Sequence, residues 1–207
     1  MQGFARILLS LAAATFFAAP ACGQSGDDPS ATPVYAAQKQ WIPARDRRGN
    51  YVTLNTRLNR DETSWHVRIA LNVAALGCRD AAEAGTVAAY NRLLRRQRRP
   101  LAAANARIKR AYRTRHGARW KAAHDRQMTR VYNFFAQPIA HTAFCSVARD
   151  VLARADAVTP RRFGRFARQA LPRLEAPFTA YYRKYEAYRA PVPSGGTGRN
   201  AVGDDSR

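Results

Sequence analysis

The chain has 207 residues and carries 35 Lys and Arg against 14 Asp and Glu, a formal net charge of +21 in which 31 of the cations are arginine. Apolar residues make up 46% and charged residues 24%, a globular balance that excludes wholesale disorder, a collagen-like chain and a low-complexity chain. No apolar run reaches 18 residues, which excludes a multi-span membrane protein, and the length suits one domain.

The first segment reads MQGFARILLSLAAATFFAAPAC. Arg6 supplies a positive start, Ile7 to Ala19 is largely apolar, and Ala19-Pro20-Ala21 is a small-residue cleavage site. The three regions together predict a secretory signal peptide over 1–21. Cys22 follows directly, and Ala19-Pro20-Ala21-Cys22 resembles a bacterial lipoprotein signal, in which that cysteine is lipidated. Ala19 stands where that pattern usually has a large aliphatic residue. Two outcomes stay open here: a lipid on Cys22, or an ordinary cut after Ala21 or Gly23. Both imply bacterial export, to the periplasm or to an anchored position at the outer membrane.

Residues 22–35 are small, polar and proline-containing, and are expected to form a flexible tether. The stretch 191–207 is expected to be a disordered tail. One α-helical domain is therefore expected over 36–190. Lipidation of Cys22, or cleavage after Gly23, leaves Cys78 and Cys145 as the remaining pair, 67 residues apart. In an oxidising compartment they are expected to form a disulfide.

Residues 36–60 read as irregular, with one short strand or hairpin around Val52, Leu54 and Leu58 after an Arg48-Gly49-Asn50 turn. From Asp61 onward the apolar period is helical. Asp61, Thr63 or Ser64 is expected to cap a first helix with Trp65, Ile69, Val73 and Leu76 inward and a left-handed Gly77 at its end. Asp80 opens a second, with Val87, Tyr90 and Leu94 inward. Pro100 suits the first turn of a third, running to about Arg115. The fourth, Ala118 to Ala136, turns Trp120, His124, Met128, Val131 and Phe135 to one side. A fifth spans Ile139 to Ala155, a short sixth opens at Thr159-Pro160, and Pro177 opens a last one. The expected fold is all-α, a bundle of about six or seven helices.

Charge is the loudest signal. Between Arg92 and Arg130 fourteen cations face a single anion, Asp125. Arg92, Arg95, Arg96, Arg98, Arg99, Arg110 and Arg113 are the candidate polyanion contacts, because guanidinium forks match the oxygens of phosphates and carboxylates. A second cluster follows at Arg161, Arg162, Arg165, Arg168 and Arg173. The last helix joins Arg183, Lys184 and Arg189 to Tyr181, Tyr182, Tyr185 and Tyr188, a pattern that suits base stacking or a membrane interface. No helix-turn-helix, RRM or zinc-finger signature is present, so specific nucleic-acid recognition is not expected. The partners this charge implies are an anionic envelope surface or an acidic protein. A lipid on Cys22 would add membrane association.

Catalytic signals are sparse. The sequence contains no GxSxG, no P-loop and no GxGxxG leading into a helix. His141 and Cys145 are one helical turn apart, but the expected disulfide consumes that thiol. The adjacent pair His124-Asp125 resembles the pair for which the metal-dependent phosphohydrolases are named, an all-helical family. That resemblance implies a divalent-metal site, with His66 or His116 and Asp150 or Asp156 completing the ligands. The first expectation remains a non-enzymatic basic module with no cofactor. A hydrolase at His124-Asp125 is the alternative.

Overall fold

Asn59 starts the helical part of the chain. Its side-chain oxygen accepts hydrogen bonds from the backbone N–H groups of Asp61 and Glu62, while the Glu62 carboxylate accepts one from the Asn59 N–H. This reciprocal capping box satisfies donors that a helix start otherwise leaves free. It places the cap two residues ahead of Asp61, the first of the expected caps. Asp61 lies in the first turn, and the Thr63 and Ser64 hydroxyls instead donate back to the carbonyls of Asn59 and Arg60.

The computed structural model describes residues 32–33, 35–36 and 39–190. The expected signal peptide, most of the tether with Cys22, and the tail lie outside the described residues. Among the described residues the protein is all-α, with no strand. The helices are α1 (Arg60–Gly77), α2 (Glu83–Arg96), α3 (Arg98–His116), α4 (Trp120–Phe135), α5 (His141–Ala155) and α6 (Phe163–Arg189). Short 3-10 turns precede α4, α5 and α6.

Helix α1 packs against each of the other five. Val67, Ile69, Ala70, Leu71 and Ala74 are fully buried, a broader face displaced from the expected stripe, of which Trp65 and Val73 are half-buried. Leu76, expected inward, is 63% exposed. Gly77 is the last helical residue and not a left-handed cap; Cys78 takes the cap position. Asp80 does not cap α2 either. It accepts a hydrogen bond from the Ala82 N–H in the turn ahead of that helix.

One residue, Gln97, separates α2 from α3. It is almost completely buried, and its Nε2 donates to the Val158 carbonyl across the bundle at 2.8 Å. Phe134 and Phe135 of α4, Phe144 of α5 and Phe178 of α6 form an aromatic cluster with centroids 5.0 to 5.9 Å apart.

The expected break at Pro177 is absent. One helix of 27 residues, α6, carries Pro172 and Pro177 within it. Each internal proline removes a hydrogen bond and costs about 3 kcal/mol. Both lie off the deeply buried face, where Ala170, Leu171, Leu174, Phe178, Tyr182 and Tyr185 continue unbroken. Burying that continuous face against α1 and α5 offsets the cost.

The expected strand in the N-terminal segment is also absent. A single bridge pairs Arg45 with Tyr51 around a turn in which Gly49 has φ 80° and the Asp46 carboxylate accepts from the N–H groups of Arg48 and Asn50. Side chains, not a sheet, hold the segment to α6. The Tyr51 hydroxyl donates to Glu186 at 2.8 Å, and Arg45 reaches the same carboxylate while lying over the Tyr51 ring.

Cys78, just past α1, and Cys145, on α5, form the expected disulfide, with Cα atoms 5.7 Å apart. Closing a 67-residue loop restricts the unfolded chain. Replacing both cysteines with serine is expected to lower unfolding stability by up to about 4 kcal/mol. Urea denaturation of the two proteins under oxidising conditions checks this; coincident curves would show that the crosslink contributes nothing.

Candidate functional site

The seven candidate polyanion residues all lie on α2 and α3, and all are exposed. Their electrostatic surroundings divide them. Arg92 is paired with Asp156 at 3.0 Å. Among the described residues, Arg95, Arg96, Arg98, Arg99, Arg110 and Arg113 have no carboxylate partner. The acids are engaged elsewhere. Asp61 holds Arg107 at 2.7 Å, Asp80 holds Arg149 at 2.8 Å, and Asp150 takes both Arg154 and Arg173. These pairs keep the carboxyls of Asp61, Asp80 and Asp150 below the ordinary range, with Arg107 the largest cause at Asp61, the Ala82 N–H at Asp80 and Arg173 at Asp150.

Arg99, Arg110 and Arg113 recur at about three helical turns and then one, so they share the face of α3 opposite buried Leu101, Ala104 and Ile108. The Arg113 guanidinium stacks over the Trp120 ring of α4 at 4.4 Å.

Arg95 and Arg98 also line a groove of about 380 Å³ between α1, α2 and α3, together with Arg68. Trp65, Leu94, Leu101 and Ala102 supply its apolar wall. Arg68 was not among the residues singled out from the sequence. It stands on the largely buried helix α1, one turn past Trp65, and that isolated cation in an apolar helix was the available signal. A second cavity, of about 510 Å³, opens between the N-terminal segment, α4 and α6, where Trp41, Leu54, Arg130, Phe134 and Tyr182 meet.

The tyrosines of α6 do not form a surface platform. Tyr181, Tyr182 and Tyr185 are buried in the core, and Tyr188 alone of the four is exposed. The stacking or interfacial role suggested by their spacing with Arg183, Lys184 and Arg189 is therefore corrected for those three rings.

His124 and Asp125 are adjacent on α4, with Nδ1 and Oδ1 3.2 Å apart. The His124 ring is buried against Tyr112 and Trp120, and Asp125 points to solvent. The residues that would complete a metal site are committed elsewhere. His66 bonds Asn55, His116 stacks on Tyr112, Asp150 holds Arg154 and Arg173, and Asp156 holds Arg92. Among the described residues, three side chains of metal-ligating type converge at Cys78, His141 and Cys145, where the two sulfurs are bonded to each other. His141 Nε2 sits 3.8 Å from the Cys145 sulfur and 3.0 Å from the Gly77 carbonyl.

Two interior titratable groups, His66 and Glu175, are linked through one side chain. The Asn55 side chain accepts from His66 Nδ1 at 2.9 Å and donates to the Glu175 carboxylate at 3.1 Å. Thr53 donates to the same Glu175 oxygen. Burial raises the Glu175 pKa, and burial lowers that of His66 to about 4. The accepting oxygen of Asn55 fixes the proton of neutral His66 on Nδ1. This chain of bonds ties the N-terminal segment to α1 and α6.

Compared with known protein families, curated proteins and solved structures, the chain matches none. No helix among the described residues is long and apolar enough to cross a membrane.

His66 makes stability pH-dependent in a defined window. In the unfolded chain it takes up a proton near its ordinary 6.5, whereas in the fold it resists until about pH 4. The stability held by neutral His66 is therefore lost as pH falls from about 6.5 to 4, by about 3 kcal/mol. Glu175 acts with the opposite sign, favouring the fold once it is protonated. Urea midpoints between pH 7.5 and 4.5 are expected to fall for the parent protein and to flatten in His66→Asn, which keeps a donor toward Asn55. A parent curve with no slope above pH 5 would refute the assignment.

Proposed function

We propose that this is an exported bacterial envelope protein whose basic α2–α3 face contacts an anionic surface, in the periplasm or anchored at the outer membrane, without an enzymatic role of its own. The observation that carries the reading is the set of exposed arginines with no carboxylate partner among the described residues. Carboxylates pair other cations, and six of the seven candidate arginines on α2 and α3 keep an unpaired charge among the described residues. Each such cation near an anionic bilayer contributes about 1 kcal/mol of attraction, and salt weakens it.

The Cys78–Cys145 disulfide fits an oxidising compartment. A lipid on Cys22, read from the sequence, would hold the module close to the surface it contacts and raise its effective concentration there. The hydrolase alternative gains no support from the placement of His124 and Asp125, since their proposed co-ligands are bonded elsewhere.

Co-sedimentation with vesicles tests the reading. The protein is expected to bind vesicles rich in phosphatidylglycerol and not pure phosphatidylcholine, with affinity falling steeply as salt rises. A variant with Arg96, Arg99, Arg110 and Arg113 all changed to Gln is expected to bind at least about ten-fold more weakly. Equal binding to both vesicle types, or an unchanged variant, would overturn the proposal.

A further inference from the structure

Arg68 is the cation hardest to account for by folding alone. It is half-buried on α1, the helix that contacts all the others. Among the described residues it has no carboxylate partner. A partly desolvated guanidinium without a counter-charge is costly, and an anion delivered from outside would remove that cost.

Its position is fixed before any ligand arrives. Nη1 donates to the Tyr132 hydroxyl at 2.9 Å, and the guanidinium lies over the Trp65 ring at 5.0 Å. These contacts use one of its five N–H donors and leave the others for an oxyanion. Arg95 and Arg98 line the same groove from α2 and α3, also without carboxylates. Three forks from three helices suit a tetrahedral phosphate, which offers oxygens in several directions.

The rest of the groove is not built for a free inorganic ion. Leu94, Leu101 and Ala102 give it an apolar wall, and its volume of about 380 Å³ lies near the lower end of ligand sites. That space suits a head group and the first methylenes of a chain, with the remainder of the lipid left outside. A nucleic acid is disfavoured because the Trp65 face that would take a base is covered by Arg68. The groove also opens between α2 and α3, the helices that carry the other candidate arginines.

We infer that the groove between α1, α2 and α3 binds the phosphate head and proximal acyl chain of an anionic membrane phospholipid, gripped by Arg68, Arg95 and Arg98. This rests on the anionic-surface reading and adds a defined pocket to a diffuse attraction. It requires one saturable site per chain, dependent on a residue that the surface reading does not use.

The test separates the two. The chain has three tryptophans, so changing Trp41 and Trp120 to Phe leaves Trp65 as a reporter inside the groove. Dihexanoyl phosphatidylglycerol, kept monomeric, is titrated at about 0.15 M salt, where long-range attraction is screened. One saturable site is expected, at least ten-fold tighter than for dihexanoyl phosphatidylcholine or inorganic phosphate. Arg68→Gln is expected to weaken it ten-fold or more, and the Arg96, Arg99, Arg110 and Arg113 variant to change it less than two-fold.

Ala102→Phe, a substitution at an exposed position that fills the groove without adding a second tryptophan, guards against misfolding of Arg68→Gln and is expected to abolish binding. Equal binding of the two lipids, phosphate binding as tight as the lipid, or full binding by Ala102→Phe would overturn the inference. Vesicle binding without monomer binding would overturn it while leaving the surface reading in place. Loss of both would remove both.

Discussion

The fold depends on the burial of most of α1. Every other helix packs against it, and only a stripe through Asp61, Trp65, Arg68, Asn72 and Leu76 stays partly open to solvent. Each polar group it buries must find a partner inside the bundle. Thr63 and Ser64 return their hydroxyls to the preceding turn. His66 donates a hydrogen bond to the Asn55 side chain, which in turn donates to Glu175. Arg68 reaches the Tyr132 hydroxyl and the Trp65 face, and finds no carboxylate among the described residues. The irregular segment before α1 acquires its role from the same constraint, since Thr53 and Asn55 are what the buried polar groups bond to. That explains why it packs as a strap of side-chain contacts and not as a strand.

Charge is distributed by a related economy of acids. With 35 cations and 14 anions in the chain, a carboxylate is the scarcer partner. Several act as cross-links between elements: Asp61 to α3, Asp80 to α5, Glu186 to the N-terminal segment, and Asp156 to α2. Exposed pairs of this kind contribute little each, yet they fix where the unpaired cations remain. Those left without a carboxylate among the described residues include six arginines on α2 and α3, and also Arg126 and Arg130 on α4 and Arg162 and Arg165 at the start of α6. Such a surface raises the self-repulsion of the compact state, and the disulfide between the end of α1 and α5 works against it by restricting the expanded chain.

Much of this architecture was legible in the sequence. The all-α class followed from the 3.6-residue period, and α4 was clear because Val131 and Phe135 recur with His124 on one side. The disulfide followed from cysteine number and compartment. The failures have physical causes. The α1 stripe differs because alanines and small polar residues make up much of its buried face, whereas the large apolar Trp65, Val73 and Leu76 lie toward its partly open side. The break at Pro177 was misread because local propensity is overridden when a long buried face spans the proline. The α6 tyrosines looked interfacial because their hydroxyls suit water, whereas three of the rings pack into the core.

The groove lay beyond sequence reasoning for a different reason. Its residues come from α1, α2 and α3, and the arginines that line it looked like the many others on those helices. Composition cannot separate an arginine that fills an exposed helical slot from one placed against an apolar wall. Geometry does so through orientation. Arg96 and Arg99 are exposed cations, and for them lysine would supply the same charge. Arg68 is positioned by a tyrosine hydroxyl and a tryptophan face, contacts that a lysine would not reproduce in the same planar form. In a chain with 31 arginines, the informative ones are therefore those whose position is fixed and whose charge is unpaired. Arg68 meets both conditions, which makes the helix that organises the fold also the one that reaches into the groove.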